Sequence, residues 1–284
     1  MHHLPLNAMP VHLFKIKTLY ILSFLLWITI SGVSFSQIKL VSWNVENLGQ
    51  SKSEQEIKFI AQTLKNYDVV ALQEVVAGYG GIQAVAKLAD ELNRTGSKWD
   101  YEISEPTSSS AYKTERYAFL WKTAAVKKIG TAWLEQTYAL EIDREPFYST
   151  FEYKNKSFTV VNFHAITKKR QPETEIKYFK FLPALYSDLN LIFVGDFNCP
   201  QSNSVFNPLK KIGYVPLLID QKTTLKKQVK HGEYLASEFD NMFYAPKVTK
   251  INGGVLRFYE HFCSLAEARK VSDHIPIWME FSFN

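Results

Sequence analysis

The chain has 284 residues, 46% of them hydrophobic and 14% aromatic, and carries 33 Lys and Arg against 28 Asp and Glu for a net charge of +5. This composition excludes a disordered or low-complexity class, and a chain of this length buries a core without needing disulfides or a structural metal. The charge permits a polyanionic partner but is too mild to demand one.

In chain order, Lys15 and Lys17 precede an apolar run over 19–30, and Ser34-Phe35-Ser36 follows it. A basic start, a short apolar stretch and small residues at −3 and −1 predict an export signal over 1–36, cut after Ser36. The alternative is an uncleaved anchor, although the run falls slightly short of the ~20 apolar residues of a membrane span. No Cys lies near the cut to carry a lipid, and Met9 is a candidate start, since residues 1–10 resemble neither signal nor structure. The expected mature chain, 37–284, loses two lysines and keeps 31 basic and 28 acidic residues, for a net charge of +3. It has no linker, repeat or low-complexity tract and is expected to be one domain. It is expected to be exported, either secreted or periplasmic, with no transmembrane segment after the cut.

Residues 38–45 are β-branched and bulky and predict a strand. Ser53-Glu54-Gln55-Glu56 is a capping box, and Ile57, Ile60, Ala61 and Leu64 supply the helical stripe behind it. A buried strand follows over 69–73, then Gly78-Tyr79-Gly80-Gly81, expected as a flexible loop, then a helix over 82–92. Strands are predicted over 117–121, 147–153, 157–163, 191–194, 239–243 and 277–283, and a helix over 173–186 whose last turns Pro183 limits. Helices alternate with strands early and strands follow one another later, which predicts an α/β layered fold with mixed sheets.

Five motifs sit where these strands end: Ser42-Trp43-Asn44, Leu72-Gln73-Glu74-Val75, Asn162-Phe163-His164, Gly195-Asp196-Phe197-Asn198 and Val271-Ser272-Asp273-His274-Ile275-Pro276. Strand ends are where such folds build their sites. Any one of these carboxylates alone reads as a cap for a following helix, but the ordered set does not. Breaking a phosphodiester requires neutralising phosphate charge, activating water and protonating the leaving oxygen. A hard divalent cation does the first and prefers oxygen ligands, which Glu74, Asn44 and Asp273 offer. An imidazole can serve as acid or base near neutral pH. His164 and His274 follow apolar strands, whereas His231 and His261 read as surface or satisfied residues. Glu115 and Asp240 are available to orient the two imidazoles.

Zinc-ligand spacing, a Gly-x-Ser-x-Gly elbow, a P-loop and a dinucleotide fingerprint are all absent from the sequence. Lys168-Lys169-Arg170 follows His164, and Lys222, Lys226, Lys227 and Lys230 fill another segment. Each cluster reads as a solvated loop or as a set of phosphate contacts. Cys199 and Cys263 are the only cysteines, and one disulfide or two buried thiols both fit the sequence.

At these motifs the chain resembles the endonuclease/exonuclease/phosphatase superfamily and, within it, secreted deoxyribonuclease I and its bacterial relatives. Tyr112-Lys113-Thr114-Glu115-Arg116-Tyr117 and Arg144-Glu145-Pro146 are similar to two segments of those nucleases. The resemblance covers 38–284 and implies a four-layer α/β sandwich, two mixed β-sheets flanked by helices. It implies a divalent-metal site at Glu74, Asn44 and Asp273, taking Mg²⁺ or Mn²⁺, with Ca²⁺ also compatible. His164 would pair with Glu115 and His274 with Asp240 as general acid and base, with the assignment open. Asp196 and Asn198 would position water and phosphate. Arg144 and Tyr112 would contact the substrate, and Thr224 a phosphate. The implied partner is DNA, met through its phosphate backbone without sequence preference, and the protein is expected to be a monomer with no stable protein partner. Three features depart from the family: Val76 stands where the eukaryotic enzymes carry a basic residue, one residue is inserted between Tyr112 and Glu115, and Cys199 and Cys263 do not fall at the family's usual disulfide positions. A phospholipid or small phosphate ester is therefore the alternative substrate, and a catalytically silent secreted binding protein the third reading.

Overall fold

The two flanks of the parallel strand pair β1 (Ile38–Leu48) and β2 (Val69–Val76) organise the first half of the chain, as seen in a computed structural model. It describes residue 1 and residues 37–109 and 114–283. Apart from residue 1, the export signal expected over 1–36 lies outside the described residues, as does Tyr112. Further along come β3 (Trp99–Ile103), β4 (Glu115–Lys122), β5 (Lys127–Leu134), β6 (Phe147–Tyr153) and β7 (Lys156–His164). They are followed by β8 (Leu191–Asp196), β9 (Val215–Pro216), β10 (Leu225–Lys230), β11 (Glu233–Leu235), β12 (Asp240–Tyr244), β13 (Val248–Val255) and β14 (Ile277–Phe283).

One six-stranded sheet runs β13-β14-β1-β2-β4-β3 and a second runs β5-β6-β7-β8-β12-β9. Each has the same centre. Parallel β1 and β2 are flanked by antiparallel β14 and β4 in the first. Parallel β7 and β8 are flanked by antiparallel β6 and β12 in the second. Period-two alternation then gives the central strands β1, β2, β7 and β8 two buried faces. Leu40, Val69, Ala71 and Phe119 of the first sheet pack against Phe151, Val160, Ile192 and Met242 of the second. Val41, Trp43 and Val45 point the other way, beneath α1 (Glu54–Leu64), α2 (Tyr79–Asn93) and the helix Leu265–Val271. Val161, Phe163 and Phe193 pack under the helical turns between residues 173 and 211. Helices, sheet, sheet, helices: the expected four-layer α/β sandwich is present.

The capping box forms as read, with Ser53 Oγ accepting from Glu56 N–H and the Glu56 carboxylate accepting from Ser53 N–H. Three expectations are corrected. The helix expected over 173–186 is three pieces, Glu173–Ile176, a 3₁₀ turn Phe179–Phe181 and Leu182–Leu185. Pro183 has no N–H for the carbonyl four residues back and its ring would strike it, so it opens a new short helix. The glycine stretch 78–81 is not a loop, because α2 begins at Tyr79. A Cβ on Gly81 would sit 2.0 Å from the Val76 carbonyl oxygen, so its glycine lets the helix start against the end of β2. Strands β3, β5, β9, β10, β11 and β13 were absent from the sequence reading. β5 has no buried residue and β13 carries Asn252, Gly253 and Gly254, so neither shows an apolar alternation. Cys199 is buried, Cys263 exposed, and both are free thiols.

Candidate active site

The carboxyl ends of the two parallel pairs converge on one place. Asn44 ends the regular part of β1, and Glu74 sits in a bulge of β2 with φ +58°. A non-glycine residue in the left-handed region is held there by its surroundings at a cost, and such residues gather at functional sites. Glu46, Asn47 and Asn198 share that conformation. From the second sheet, β7 ends in His164 and β8 in Asp196. Gly195 makes their pairing possible: its φ is +135° and a Cβ would lie 1.9 Å from the Phe163 carbonyl oxygen. Glu115 opens β4 and Asp240 opens β12, while Asp273 and His274 come from the loop before β14.

The two imidazoles are arranged alike. His164 Nδ1 lies 2.9 Å from Glu115 Oε2, and His274 Nδ1 lies 2.8 Å from Asp240 Oδ2. Their Nε2 atoms both face Asp196 Oδ2, at 3.4 Å and 3.6 Å. The Asn44 amide donates to Glu74 Oε1 at 3.0 Å and to Asp196 Oδ2 at 3.2 Å. Asn198 N–H donates to Asp196 Oδ1 at 2.8 Å, and its amide to Ala165 O at 3.0 Å. Asp273 Oδ1 stands 3.9 Å from His274 Nε2 at the rim, with Oδ2 3.4 Å from the Arg269 guanidinium. Asn44, Glu74, Glu115, His164, Asp196, Asn198, Asp240, Asp273 and His274 are thus in one site.

The electrostatic settings of the imidazoles are opposite. Burial pushes His164 down to about 4, helped by the nearby Arg144 guanidinium, against the pull of Asp196 and Glu74. Burial also pushes Glu115 up to about 7, opposed by Arg144 and by the Glu74 N–H. His274 is buried too, but Asp240, Asp196 and Asp273 outweigh that penalty and hold it well above its usual value. The difference is one cation. Arg144 pairs with the carboxylate beside His164, and among the described residues no Lys or Arg pairs with Asp240. With no ion added, the surroundings favour the protonated form of His274 and the neutral form of His164.

Arg144 is not a free substrate contact. Its Nε donates to His164 O at 3.0 Å, Nη1 to Glu115 Oε2 at 3.2 Å, and Nη2 to Ala165 O. Two of its five N–H groups are left for a ligand. Thr224 forms an isolated bridge with His274, and its hydroxyl accepts from Ser237 N–H. Its neighbour Thr223 donates to Asp240 Oδ2 at 2.6 Å and orients that carboxylate.

Several supporting residues escaped the sequence reading. Ser272 Oγ donates to Asn44 O at 2.6 Å and accepts from His274 N–H, and Trp43 Nε1 donates to His274 O. Gln73 Nε2 donates to Asn162 Oδ1 across the two sheets at 2.5 Å, and the Asn162 amide donates to Leu72 O. Glu46 stands half-buried near Asp273, Glu74, Lys52 and Arg269, and burial followed by the two carboxylates raises its pKa. Ser42, Trp43, Gln73, Asn162 and Ser272 lie inside the five motifs but carried no role of their own there, and that membership was the available signal. Thr223 had only its place beside Thr224, and Glu46 only its place two residues after Asn44.

The donor set suits a hard cation. Glu74 and Asp273 are partly exposed carboxylates, and no Lys or Arg pairs with Glu74 among the described residues. Deeper in, Asp196, Asp240 and His274 each offer a ligand atom, all within 4.8 Å of one another. No cysteine is among these donors. Oxygen-rich donors of this kind fit Mg²⁺, Mn²⁺ or Ca²⁺ better than a soft metal.

A model of the endonuclease/exonuclease/phosphatase family matches residues 41–274. The chain is 28% identical to a deoxyribonuclease of Thioalkalivibrio sp. (strain K90mix), over 92% of this chain and 75% of that one. It is 28% identical to human deoxyribonuclease gamma, over 89% of this chain and 88% of that one. A solved structure of a family protein from Bacteroides thetaiotaomicron superposes with a TM-score of 0.63 at 18% identity, covering 87% of this chain and 98% of that one. From its first site strand to its last histidine, the chain belongs to the endonuclease/exonuclease/phosphatase family.

Proposed function

We propose that the protein is an exported, divalent-metal-dependent endonuclease that hydrolyses the phosphodiester bonds of DNA with little sequence preference. One observation carries the reading. Two imidazoles, each braced by a carboxylate through Nδ1, turn their Nε2 atoms toward a common carboxylate oxygen of Asp196. That pair can serve both ends of an in-line displacement. One imidazole takes a proton from water as its oxygen bonds to phosphorus, and the other gives a proton to the leaving oxygen as the second phosphorus–oxygen bond breaks. Glu115 and Asp240 fix the rings, and Asp196 with Asn198 positions water and phosphate. A cation on Glu74, Asn44 and Asp273 would supply charge neutralisation on the phosphate. The names of the relatives at 28% identity favour DNA over other phosphodiesters. Phosphate contacts without base readout would leave binding unspecific and salt-sensitive. Export rests on the basic, apolar and small-residue order of 15–36, and Gln37–Asn284 forms a compact unit by itself. No helix among the described residues is long and apolar enough to cross a membrane.

The test is nicking of supercoiled plasmid by residues 37–284 with Mg²⁺, with and without EDTA. His164→Ala and His274→Ala are each expected to lose at least ~10²-fold in rate. Full activity in both variants would remove the assignment. An intact plasmid across Mg²⁺, Mn²⁺ and Ca²⁺ would move the substrate to a phospholipid or small phosphate ester.

A further inference from the structure

The site opens into a cleft of about 680 Å³ whose lining includes Val75–Gly78 with Asn47, and Ile166, Thr167 and Arg170. Glu74, Glu115 and Arg144 form its inner end. A polynucleotide held at the imidazoles must continue along such a cleft, and each further nucleotide brings another negative charge. The inner cation cannot meet it in full, since Arg144 is bound to Glu115 and to two backbone carbonyls. Glu74 and Glu115 make the inner end no more attractive to an anion.

The outer wall is different. Arg170 is exposed, lines the cleft, and no carboxylate pairs with it among the described residues. Its backbone is fixed. The 3₁₀ turn Lys168–Arg170 is closed by Arg170 N–H to Thr167 O at 2.7 Å and by Gln171 N–H to Lys168 O at 3.1 Å, with Gln171 at φ +63° ending it. Behind the turn, the buried Glu175 carboxylate accepts from Ile166 N–H at 2.9 Å and from Asp143 N–H at 2.7 Å. One carboxylate therefore ties the root of this wall to the root of Arg144. Lys168 does not line the cleft and lies near enough to Cys199 to act on its thiol.

We infer that Arg170, with Thr167 beside it, is a second phosphate-binding position that holds the substrate chain one or more nucleotides from the phosphate being cleaved. The inference rests on the reading of the site as one that takes a polynucleotide. A guanidinium fork suits the task because it grips a phosphate through two parallel N–H bonds.

Binding measured without turnover tests it. A short fluorescein-labelled single-stranded DNA is titrated with residues 37–284 in EDTA, by anisotropy, over a range of salt. Arg170→Ala is expected to weaken binding roughly ten-fold, with the salt slope smaller by about one. Lys168→Ala, which removes the same charge from the same turn, is expected to stay near wild type. Both variants are first checked for an unchanged thermal melt. Arg170→Lys keeps the charge without the fork and should fall between, so it serves if Arg170→Ala does not fold. Equal losses in Arg170→Ala and Lys168→Ala would mean a diffuse field and overturn the inference. So would wild-type affinity in Arg170→Ala, or no binding by the wild type. If the wild type binds with this pattern but nicks no plasmid, the second phosphate position stands and the endonuclease reading falls.

Discussion

At the scale of single residues, the reactive groups were easier to read than the groups that hold them. His164 and His274 stood out because each follows an apolar strand beside polar motif residues, and Glu115 and Asp240 were available as partners. Thr223 and Ser272 carry no such mark. A hydroxyl that orients a carboxylate looks like any other hydroxyl until the chain has folded. The cysteines show the same limit, because a separation in sequence says nothing of distance in space. The structure leaves Cys199 buried, with burial and the neighbouring Glu173 pushing its thiol up to about 12, while Cys263 is exposed. Only the thiolate reacts with an alkylating agent. In iodoacetamide at pH 7.5, intact-mass measurement is expected to show one adduct, at Cys263, on the folded protein. In guanidinium without reductant it should show two. No adduct under either condition would mean that the two cysteines are bridged.

At the scale of elements, long segments with a clean period were legible and short or exposed ones were not. β1, β2, β7, β8 and the first helix followed from apolar runs and a capping box. The edge strand β5 and the hairpin β10–β11 bury little, so their sequences carry almost no pattern. The start of α2 was misread because glycines usually mark loops, whereas here Gly81 is required by close approach. Two substitutions separate an element's stability from its role in the site. Ser53→Ala removes the cap of α1, whose bonds run only to Glu56 of the same helix, and should cost about 1 kcal/mol in denaturant unfolding with nicking rates unchanged. Gly81→Ala places a methyl group against the Val76 carbonyl. Either α2 or the end of β2 must move, and Glu74 lies two residues upstream of Val76. Lower stability together with a lower rate is expected. A Gly81→Ala enzyme as stable and fast as wild type would show that α2 does not brace Glu74.

For the whole molecule, the site exists only because two sheets meet. The first supplies Asn44, Glu74 and Glu115, the second His164, Asp196 and Asp240, and the Gln73–Asn162 bond ties them beneath the site. No sequence pattern states that two separate strand pairs will face each other, so the motif order alone carried that expectation, through the family resemblance. The arrangement gathers carboxylates that repel one another, and this should weaken the fold. Glu46 reports on it. Burial raises its pKa first, then Asp273 and Glu74, with Lys52 and Arg269 opposing. A carboxylate whose folded pKa lies above its unfolded value favours the folded state while protonated. That contribution is lost as pH rises from about 4.5 through the folded value. Glu46→Gln, neutral at every pH, should therefore melt higher than wild type at pH 7.5 in EDTA. Below about pH 4.5, where Glu46 is protonated in both states, the difference should vanish. A divalent cation held between Glu74 and Asp273 would relieve the same repulsion and add its own binding free energy to the folded state. Mg²⁺ should then raise the melting temperature of the wild type more than that of Glu46→Gln. A wild type that melts at the same temperature with EDTA and with Mg²⁺, while Glu46→Gln gives no gain at pH 7.5, would mean that these carboxylates are balanced by the protein alone.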